Sequence, residues 1–276
     1  MHPLYIVLIS VGSALLLLFV LYLFLIKTHS PRKEMKRYKG VRFAHRGLHG
    51  DKIAENSMSA FKAAIDAGFG IELDVRLSSD GELVVFHDTK LDRVTNAEGI
   101  VAEKTLAELS LIKLSGTEDT IPSFKDVLEL VDGKVPLLVE IKEEVGEYAV
   151  TEKTVEVLKG YGGEFIIESF NPLALARVKK LMPEAIRGVL AMAYHKDKSL
   201  KGISYFLAER LMLNVICRPD FIAYNYVDYK NLSMRIARKL FGATTVAWTV
   251  KSREDEELAY KHGFDSVIFE DYNPLL

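Results

Sequence analysis

The amino-acid sequence predicts an α/β protein, a TIM (β/α)8 barrel that is preceded by one N-terminal transmembrane helix. Three observations lead to this prediction. A charge-free apolar run opens the chain, eight short apolar runs alternate with amphipathic segments from residue 41 onward, and polar residues follow the ends of those runs. Continuous apolar strands that alternate with helices indicate a parallel sheet, and eight such units within about 230 residues fit a closed barrel.

The first element is the run LYIVLISVGSALLLLFVLYLFLI, residues 4–26, which contains no charged residue. At about 1.5 Å per residue it would extend roughly 34 Å, enough to cross a hydrocarbon core of about 30 Å. A cleaved signal peptide is the alternative, but the run lacks a basic start and a small-residue cleavage site. The positive-inside rule then predicts a single-pass membrane protein with a cytoplasmic catalytic domain. The basic residues that follow the run are Lys27, Arg32, Lys33, Lys36, Arg37 and Lys39.

Three regions follow from this division: a transmembrane anchor at 1–27, a basic juxtamembrane linker at 28–40, and a barrel at 41–276. The linker could lie on anionic lipid headgroups or simply be solvated. A formal net charge of −2, without a zinc-finger spacing or a basic zipper, argues against a nucleic-acid partner, and no protein partner is evident. The single cysteine, Cys217, excludes an internal disulfide framework and is consistent with a reducing compartment.

Eight apolar runs predict the barrel strands in order. A ninth run, ELVVFHD (82–88), follows the second strand after a turn signal at Asp80-Gly81, too soon for a helical crossover, and predicts a hairpin outside the barrel. The next segment, about 89–123, contains no barrel strand and predicts a small insertion over the barrel mouth. Its apolar residues would pack either on the mouth, where they would select substrate, or on each other as a flap. The eight runs are VRFAH (41–45), GIELDV (70–75), PLLVEIK (136–142), EFIIESF (164–170), IRGVLA (186–191), FIAYN (221–225), TTVAWTV (244–250) and SVIFED (266–271).

Polar residues concentrate at the carboxyl ends of the predicted strands, which form the active-site face of a TIM barrel. Glu72 and Asp74 project from the same side of the second strand because side chains alternate, and Glu140 lies near the end of the third. Three converging carboxylates must be protonated, paired with cations or bound to a metal, and hard oxygen ligands suit one divalent cation, Mg²⁺ or Ca²⁺. An isolated Glu-x-Asp would also fit a solvated edge strand.

Two histidines and two cations accompany the acids. His45 and His87 follow the first strand and the hairpin, and histidine titrates near neutral pH, so one could accept a proton while the other donates one. Arg46 and Lys142 supply the positive charge that an anionic substrate requires. Ion pairing with the carboxylates is the alternative role for both cations.

Over about residues 41–275, the chain resembles the glycerophosphodiester phosphodiesterases. The resemblance is carried by AHRG, by AENSMSAFKAAIDAGFGIELDVRLSSDGELVVFHDTKLDRVTNAEG, and by EIK, ESFN, AWTV and GFDSVIFEDYNP. It implies a metal-dependent TIM barrel that cleaves glycerophosphodiesters to glycerol 3-phosphate and an alcohol. The residues it implies are metal ligands at Glu72, Asp74 and Glu140, an acid/base pair at His45 and His87, phosphate contacts at Arg46 and Lys142, and substrate-pocket residues at Glu55, Asn56, Phe170 and Trp248.

Two positions depart from the family pattern. Ala54 stands where proline is usual before Glu-Asn, and Phe269-Glu270-Asp271 stands where the last strand usually ends in Thr-Asp, a change that could alter the substrate pocket. Two other functions stay open. One is a lysophospholipase D that acts on membrane lysophospholipids, which the anchor favours. The other is a non-catalytic phosphate- or lipid-binding barrel, against which the intact acids and histidines argue.

Overall fold

A computed structural model of the chain describes residues 3–29 and 33–275. Residues 1–2 of the predicted anchor, Arg32 of the basic segment and residue 276 therefore lie outside the described residues. Within them, eight parallel strands form a closed barrel, because β1 pairs with both β2 and β9. Strand β3 pairs antiparallel with β2 outside the barrel, so the predicted barrel and hairpin are both confirmed. The strands are β1 (Arg42–Ala44), β2 (Gly70–Leu77), β3 (Leu83–Val85), β4 (Leu137–Ile141), β5 (Phe165–Ser169), β6 (Arg187–Ala191), β7 (Phe221–Asn225), β8 (Thr244–Val250) and β9 (Ser266–Phe269).

The helices begin and end at residues suited to capping. Ser57 accepts a hydrogen bond from the Ala60 amide at the start of α2, and Gly242 ends α9 in the left-handed conformation that glycine adopts without strain. The helices are α1 (Pro3–Ile26), α2 (Met58–Ala67), α3 (Leu106–Leu109), α4 (Phe124–Val131), α5 (Ala149–Leu158), α6 (Pro172–Leu181), α7 (Ile203–Glu209), α8 (Asn214–Cys217), α9 (Leu232–Phe241) and α10 (Arg253–Lys261), with 3-10 turns at Lys33–Tyr38, Val101–Glu103, Tyr194–Lys196 and Tyr226–Asp228.

The base of the barrel, at the amino ends of the strands, is closed by the segment interpreted above as a linker. Met35 and Tyr38 are buried among the inward-facing strand residues, and the Ser266 hydroxyl donates a hydrogen bond to the Tyr38 carbonyl. Arg37 pairs with Glu164 at 3.0 Å and Lys39 with Asp265 at 2.7 Å; both acids directly precede strands. Residues 33–38 are therefore a packed part of the barrel instead of a solvated tether.

The insertion forms a small core of its own. Its apolar residues pack against one another and against Val84 and Phe86 of the hairpin. This arrangement corresponds to the flap alternative, since the apolar wall beside the site comes from elsewhere. That wall belongs to residues 192–220, between β6 and β7, which contain α7 and α8 and for which the sequence supported no prediction. The insertion residues in this core are Leu91, Val101, Leu109, Leu114 and Ile121.

Helix α1 is the one helix among the described residues that is long and apolar enough to cross a membrane, with a mean hydropathy of 2.8. Its residues up to Leu21 are exposed, whereas Ile26 at its end is fully buried against the barrel.

Candidate active site

The site is built on four carboxylates at the carboxyl ends of neighbouring strands. Strand register places Asp74 beside Glu140, and Glu140 beside Glu168 on β5. One oxygen from each of Glu72, Asp74 and Glu140 lies within 4.8 Å of the other two, and all three residues are buried. The three predicted acids therefore do converge, and Glu168 adds a fourth that the resemblance did not assign. Such a set of oxygen donors could hold a metal ion.

Burial, mutual repulsion and nearby cations shift the pKa values of these carboxyl groups in different directions. Burial, reinforced by Asp74, Glu140 and Glu168, raises the pKa of Glu72 well above its usual value. Burial likewise raises the pKa of Glu168, and that of Glu140 to about 7. Asp74 is the exception: burial opposes its ionisation, but the positive charges of Lys142, His87, Arg46 and His45 together outweigh this and hold its pKa below the usual range. The cluster therefore has more negative charge than its neighbouring cations can stabilise.

Lys142 and Arg46 are cations that contact acids of this cluster. Lys142 Nζ lies 2.6 Å from Glu140 Oε1 and 3.0 Å from Asp74 Oδ1. The Arg46 backbone amide donates to Glu72 Oε2 at 2.8 Å, and its Nε lies 3.5 Å from Asp74. Both cations thus pair with the acids, and Lys142 and Arg46 together are outnumbered by the four buried carboxylates.

The turn after β1 is tight, which brings Arg46 back over the acids. Arg46 has a φ of 56° and Gly47 a φ of 82°. A Cβ on Gly47 would lie 2.7 Å from the Ala60 Cβ, so only glycine permits this approach of the turn to α2. Backbone packing therefore fixes where the Arg46 amide and guanidinium meet the cluster.

His45 is oriented by a carboxylate from the last strand. Its Nδ1 lies 2.9 Å from Glu270 Oε2, and that hydrogen bond is the main reason why the pKa of Glu270 falls to about 2. An ionised carboxylate can only accept, so Nδ1 carries the proton. The other ring nitrogen, Nε2, lies 3.9 Å from Glu72 Oε2 and faces the acids.

His87 is oriented in the same way. Its Nδ1 lies 2.5 Å from Asp88 Oδ1, while Arg93 Nε donates to Asp88 Oδ2 at 2.5 Å. Burial lowers the pKa of His87, which favours its neutral form. Two imidazoles, each held by a carboxylate on Nδ1, therefore flank the acidic cluster and can exchange protons through Nε2.

Sequence reasoning assigned no role to Glu270, Asp88 or Arg93. Arg93 lies in the L-x-R-x-T part of the resemblance, and Glu270 was noted only as a departure from the family pattern. Glu270 is 225 positions from His45 along the chain. The pairing of β1 with β9, which closes the barrel, brings the two together.

Two of the predicted pocket residues lie in polar contacts beneath the site. Asn56 Nδ2 donates to Asp74 Oδ2 at 2.8 Å, and Glu55 accepts hydrogen bonds from both Arg46 and Arg93. Both contacts position charged groups of the site. That Glu55 and Asn56 also contact the substrate stays a prediction.

A cavity of about 490 Å³ opens beside the cluster, and Glu140 and Lys142 are among its lining residues. Phe170 lies on its wall, and Trp248 packs edge-on against Phe170 with ring centroids 5.5 Å apart. The rest of the wall is mainly apolar and comes largely from residues 192–213. It includes Met192, Tyr194, Leu200, Tyr205 and Leu213.

Comparison with known proteins gives one consistent result. The model of the glycerophosphoryl diester phosphodiesterase family matches residues 45–273. A glycerophosphodiester phosphodiesterase from Caldanaerobacter subterraneus subsp. tengcongensis is 34% identical over 254 residues, which cover 86% of this chain and 97% of that relative. A lysophospholipase D from Rattus norvegicus is 29% identical over 170 residues, 57% of this chain and 52% of that relative. A solved phosphodiesterase from Oleispira antarctica, in complex with the product sn-glycerol-3-phosphate, is 27% identical with a TM-score of 0.70, covering 86% of this chain and 95% of that one.

Proposed function

The chain belongs to the glycerophosphoryl diester phosphodiesterase family, and we propose that it hydrolyses glycerophosphodiesters to glycerol 3-phosphate and an alcohol with the site described above. The observation that carries the mechanism is the pair of carboxylate-held histidines, His45 and His87, on either side of a buried acidic cluster. Such a pair supplies a proton acceptor and a proton donor at the two ends of one phosphodiester.

Glu72, Asp74 and Glu140 would hold one divalent cation, Mg²⁺ or Ca²⁺. The residues fit such an ion because the donors are all oxygens, converge within 4.8 Å of one another and are buried. When bound, the ion would neutralise charge on the phosphoryl oxygens as a Lewis acid. The raised pKa values of Glu72 and Glu140 support this assignment, because a nearby cation stabilises their ionised forms.

Arg46 and Lys142 bind and orient the phosphate. Both lie at the edge of the acidic cluster, with side chains largely buried, so each charge acts through little water. Arg46 is held by Glu55, which fixes the guanidinium so that its remaining donors can point toward a phosphate.

The histidines move the protons. One Nε2 accepts the proton of the nucleophile, either water or the neighbouring glycerol hydroxyl, as its oxygen bonds to phosphorus. Water gives glycerol 3-phosphate directly, whereas the glycerol hydroxyl gives a cyclic phosphodiester that a water molecule then opens to glycerol 3-phosphate. The other imidazole donates a proton to the leaving alkoxide oxygen as its bond to phosphorus breaks, so the alcohol departs neutral. Glu270 and Asp88 stabilise whichever imidazole is positively charged, and each proton transfer contributes about 10²–10⁴ in rate.

A lysophospholipase D is the second candidate, and the apolar cavity is the observation that favours it. The cavity is lined by Phe170 and Tyr205 as well as by Lys142, and this apolar lining would accommodate an acyl chain attached to the glycerol. The relative from Rattus norvegicus carries that name, although the match covers about half of it.

The protein is a single-pass membrane protein in this proposal, with α1 across the bilayer and the barrel in the cytoplasm. The length and hydropathy of α1 support the span, and the basic residues after it support the orientation. Protease added to intact cells should leave the barrel uncut, and cleavage there would place the barrel on the outer face.

The full-length protein should be tested on glycerophosphocholine, glycerophosphoethanolamine and lysophosphatidylcholine, each with Mg²⁺ or Ca²⁺ and after chelation. Release of glycerol 3-phosphate supports the phosphodiesterase, whereas release of lysophosphatidic acid alone favours the lysophospholipase D. Turnover of none of them, with phosphate ligands still bound, would indicate a non-catalytic barrel.

A further inference from the structure

The last turns of α1 contact the barrel in an order that defines the direction of the helix. Tyr22 hydrogen-bonds Ser233 at 2.7 Å, and Ser233 lies in the first turn of α9, directly after the carboxyl end of β7. Four residues later, the Ile26 carbonyl accepts from Asn214, and the His29 amide donates to the Pro219 carbonyl just before β7 begins. The chain therefore runs from the catalytic end of the barrel toward its base.

The rest of α1 must then extend in the opposite direction, beyond the catalytic end. At about 1.5 Å per residue, residues 3–21 extend about 28 Å past Tyr22, close to the thickness of a hydrocarbon core of about 30 Å. A bilayer crossed by these residues would have its near surface at the level of Tyr22 and Ser233. That level coincides with the rim of the catalytic face.

The attachment of α1 is rigid because the barrel caps the end of the helix. Arg218 donates to the carbonyls of Phe24 at 2.6 Å and Lys27 at 3.0 Å, and its guanidinium lies 4.5 Å from the centre of the Phe24 ring. Asn214 satisfies the carbonyl of Ile26, which is fully buried. Free carbonyls at a helix end are thus paired with the barrel, which fixes the height of the catalytic face.

The rim on this side carries exposed apolar side chains. Ile203 is 72% exposed and Phe206 52% exposed on α7, the helix whose Ser204 and Tyr205 line the cavity. Exposed lysines lie between these apolar positions, a pattern typical of a surface that rests in the headgroup region. The further apolar residues are Val227 and Leu232, and the lysines are Lys198, Lys201 and Lys230.

We propose that the catalytic face of the barrel rests on the bilayer that α1 crosses, with Ile203, Phe206, Val227 and Leu232 in the lipid interface. The cavity then opens at the membrane surface, and an amphiphilic substrate reaches Lys142 without leaving the leaflet. This consequence for the substrate rests on the proposed function, whereas the docking itself rests on the geometry of α1 and the rim. Residues 33–39, at the base, lie on the side away from the lipid.

Helix α9 offers a matched test, because it has an exposed leucine at each end. Leu232 is 56% exposed at the catalytic end and Leu240 is 58% exposed at the base. Leu232→Cys and Leu240→Cys are labelled with a polarity-sensitive fluorophore in the full-length protein in nanodiscs; Cys217 is fully buried and serves as the unlabelled background. Lipids that carry a quencher near the headgroup should quench the Leu232 label at least about threefold more strongly.

Equal quenching at the two sites, or stronger quenching at Leu240, would overturn the proposal. Lys230→Cys and Lys239→Cys repeat the comparison at polar positions if a leucine variant folds poorly. Turnover of water-soluble glycerophosphocholine by the same samples tests the proposed function separately. A quenching difference without turnover would refute the proposed function and support the docking of the catalytic face. Turnover without a quenching difference would support the proposed function and refute the docking.

Discussion

Glu270→Gln tests whether the carboxylate on His45 contributes to catalysis. The pKa of Glu270 falls from 4.5 to about 2, chiefly through its hydrogen bond to His45. That difference corresponds to about 3 kcal/mol at 1.36 kcal/mol per pH unit. Glu270 is partly exposed, so solvent screening reduces the contribution to about 1–2 kcal/mol. Glutamine has nearly the same shape but no charge, so an imidazolium on His45 would lose this stabilisation.

We expect kcat of Glu270→Gln on glycerophosphocholine to fall about 5- to 30-fold, with KM changed less than about twofold, because Glu270 acts through His45. Asp271→Asn is the matched control, since Asp271 pairs with Lys251 at an exposed site and its loss should change kcat little. An unchanged kcat in Glu270→Gln would refute the positioning role.

The same substitution has a pH signature in stability. The folded-state pKa of Glu270 lies below its unfolded value, so its stabilisation is fully present above pH 4.5 and is lost as pH falls toward 2. The gap in melting temperature between the wild type and Glu270→Gln should therefore narrow below about pH 5 and close as the pH approaches 2. A gap that stays constant across this range would mean that packing, and not the ion pair, explains the difference.

Three further results are expected. Chelation of divalent cations should abolish turnover, and activity after exhaustive chelation would contradict the metal assignment. A divalent cation at 100 times its Kd should raise the free energy of unfolding by about 2.7 kcal/mol in the wild type but not in Glu72→Gln. His45→Ala and His87→Ala should each lose at least about 10²-fold in kcat while the circular dichroism spectrum is unchanged, and near-normal turnover in either would reassign its role. A chain that begins at Lys33 should stay folded and hydrolyse a soluble diester. A chain that begins at Val41 should be destabilised by several kcal/mol, because it lacks the buried side chains of Met35 and Tyr38. Equal denaturation midpoints for the two chains would contradict the packing argument.

The barrel could be predicted from sequence because its signals are local. A strand buried on both faces, such as β4 or β7, is a continuous apolar run, and the next helix begins at a capping residue such as Asn171 or Asn231. Residues 192–220 carry no such signal: α7 and α8 are short, and their side chains are divided between the cavity and the exposed rim. The position of α7 and α8 depends on packing between elements that are distant in sequence.

The acids and histidines of the site could be predicted for the same local reason, since each acid interrupts an apolar strand and each histidine follows one. The residues that orient these acids and histidines could not be predicted from the sequence. Glu270 meets His45 only through barrel closure, and Asn56 faces Asp74 because its φ of 52° turns the chain back toward β2. The base of the barrel was missed because Met35 and Tyr38 are two apolar residues in a basic segment, and nothing in their spacing indicates burial.

The rigid end of α1 changes what an anchor does for this site. A flexible tether of fourteen residues could extend at most about 50 Å, and it would let the catalytic face turn in any direction. Asn214 and Arg218 bind the last carbonyls of α1, and the His29 amide donates to the Pro219 carbonyl, so residues 27–29 are held against the barrel; residues 33–38 close its base. In the proposed membrane arrangement, the anchor would set the direction of the mouth as well as its distance from the lipid. On that geometry the apolar wall of the cavity and the apolar rim form one surface that leads from the bilayer to Lys142.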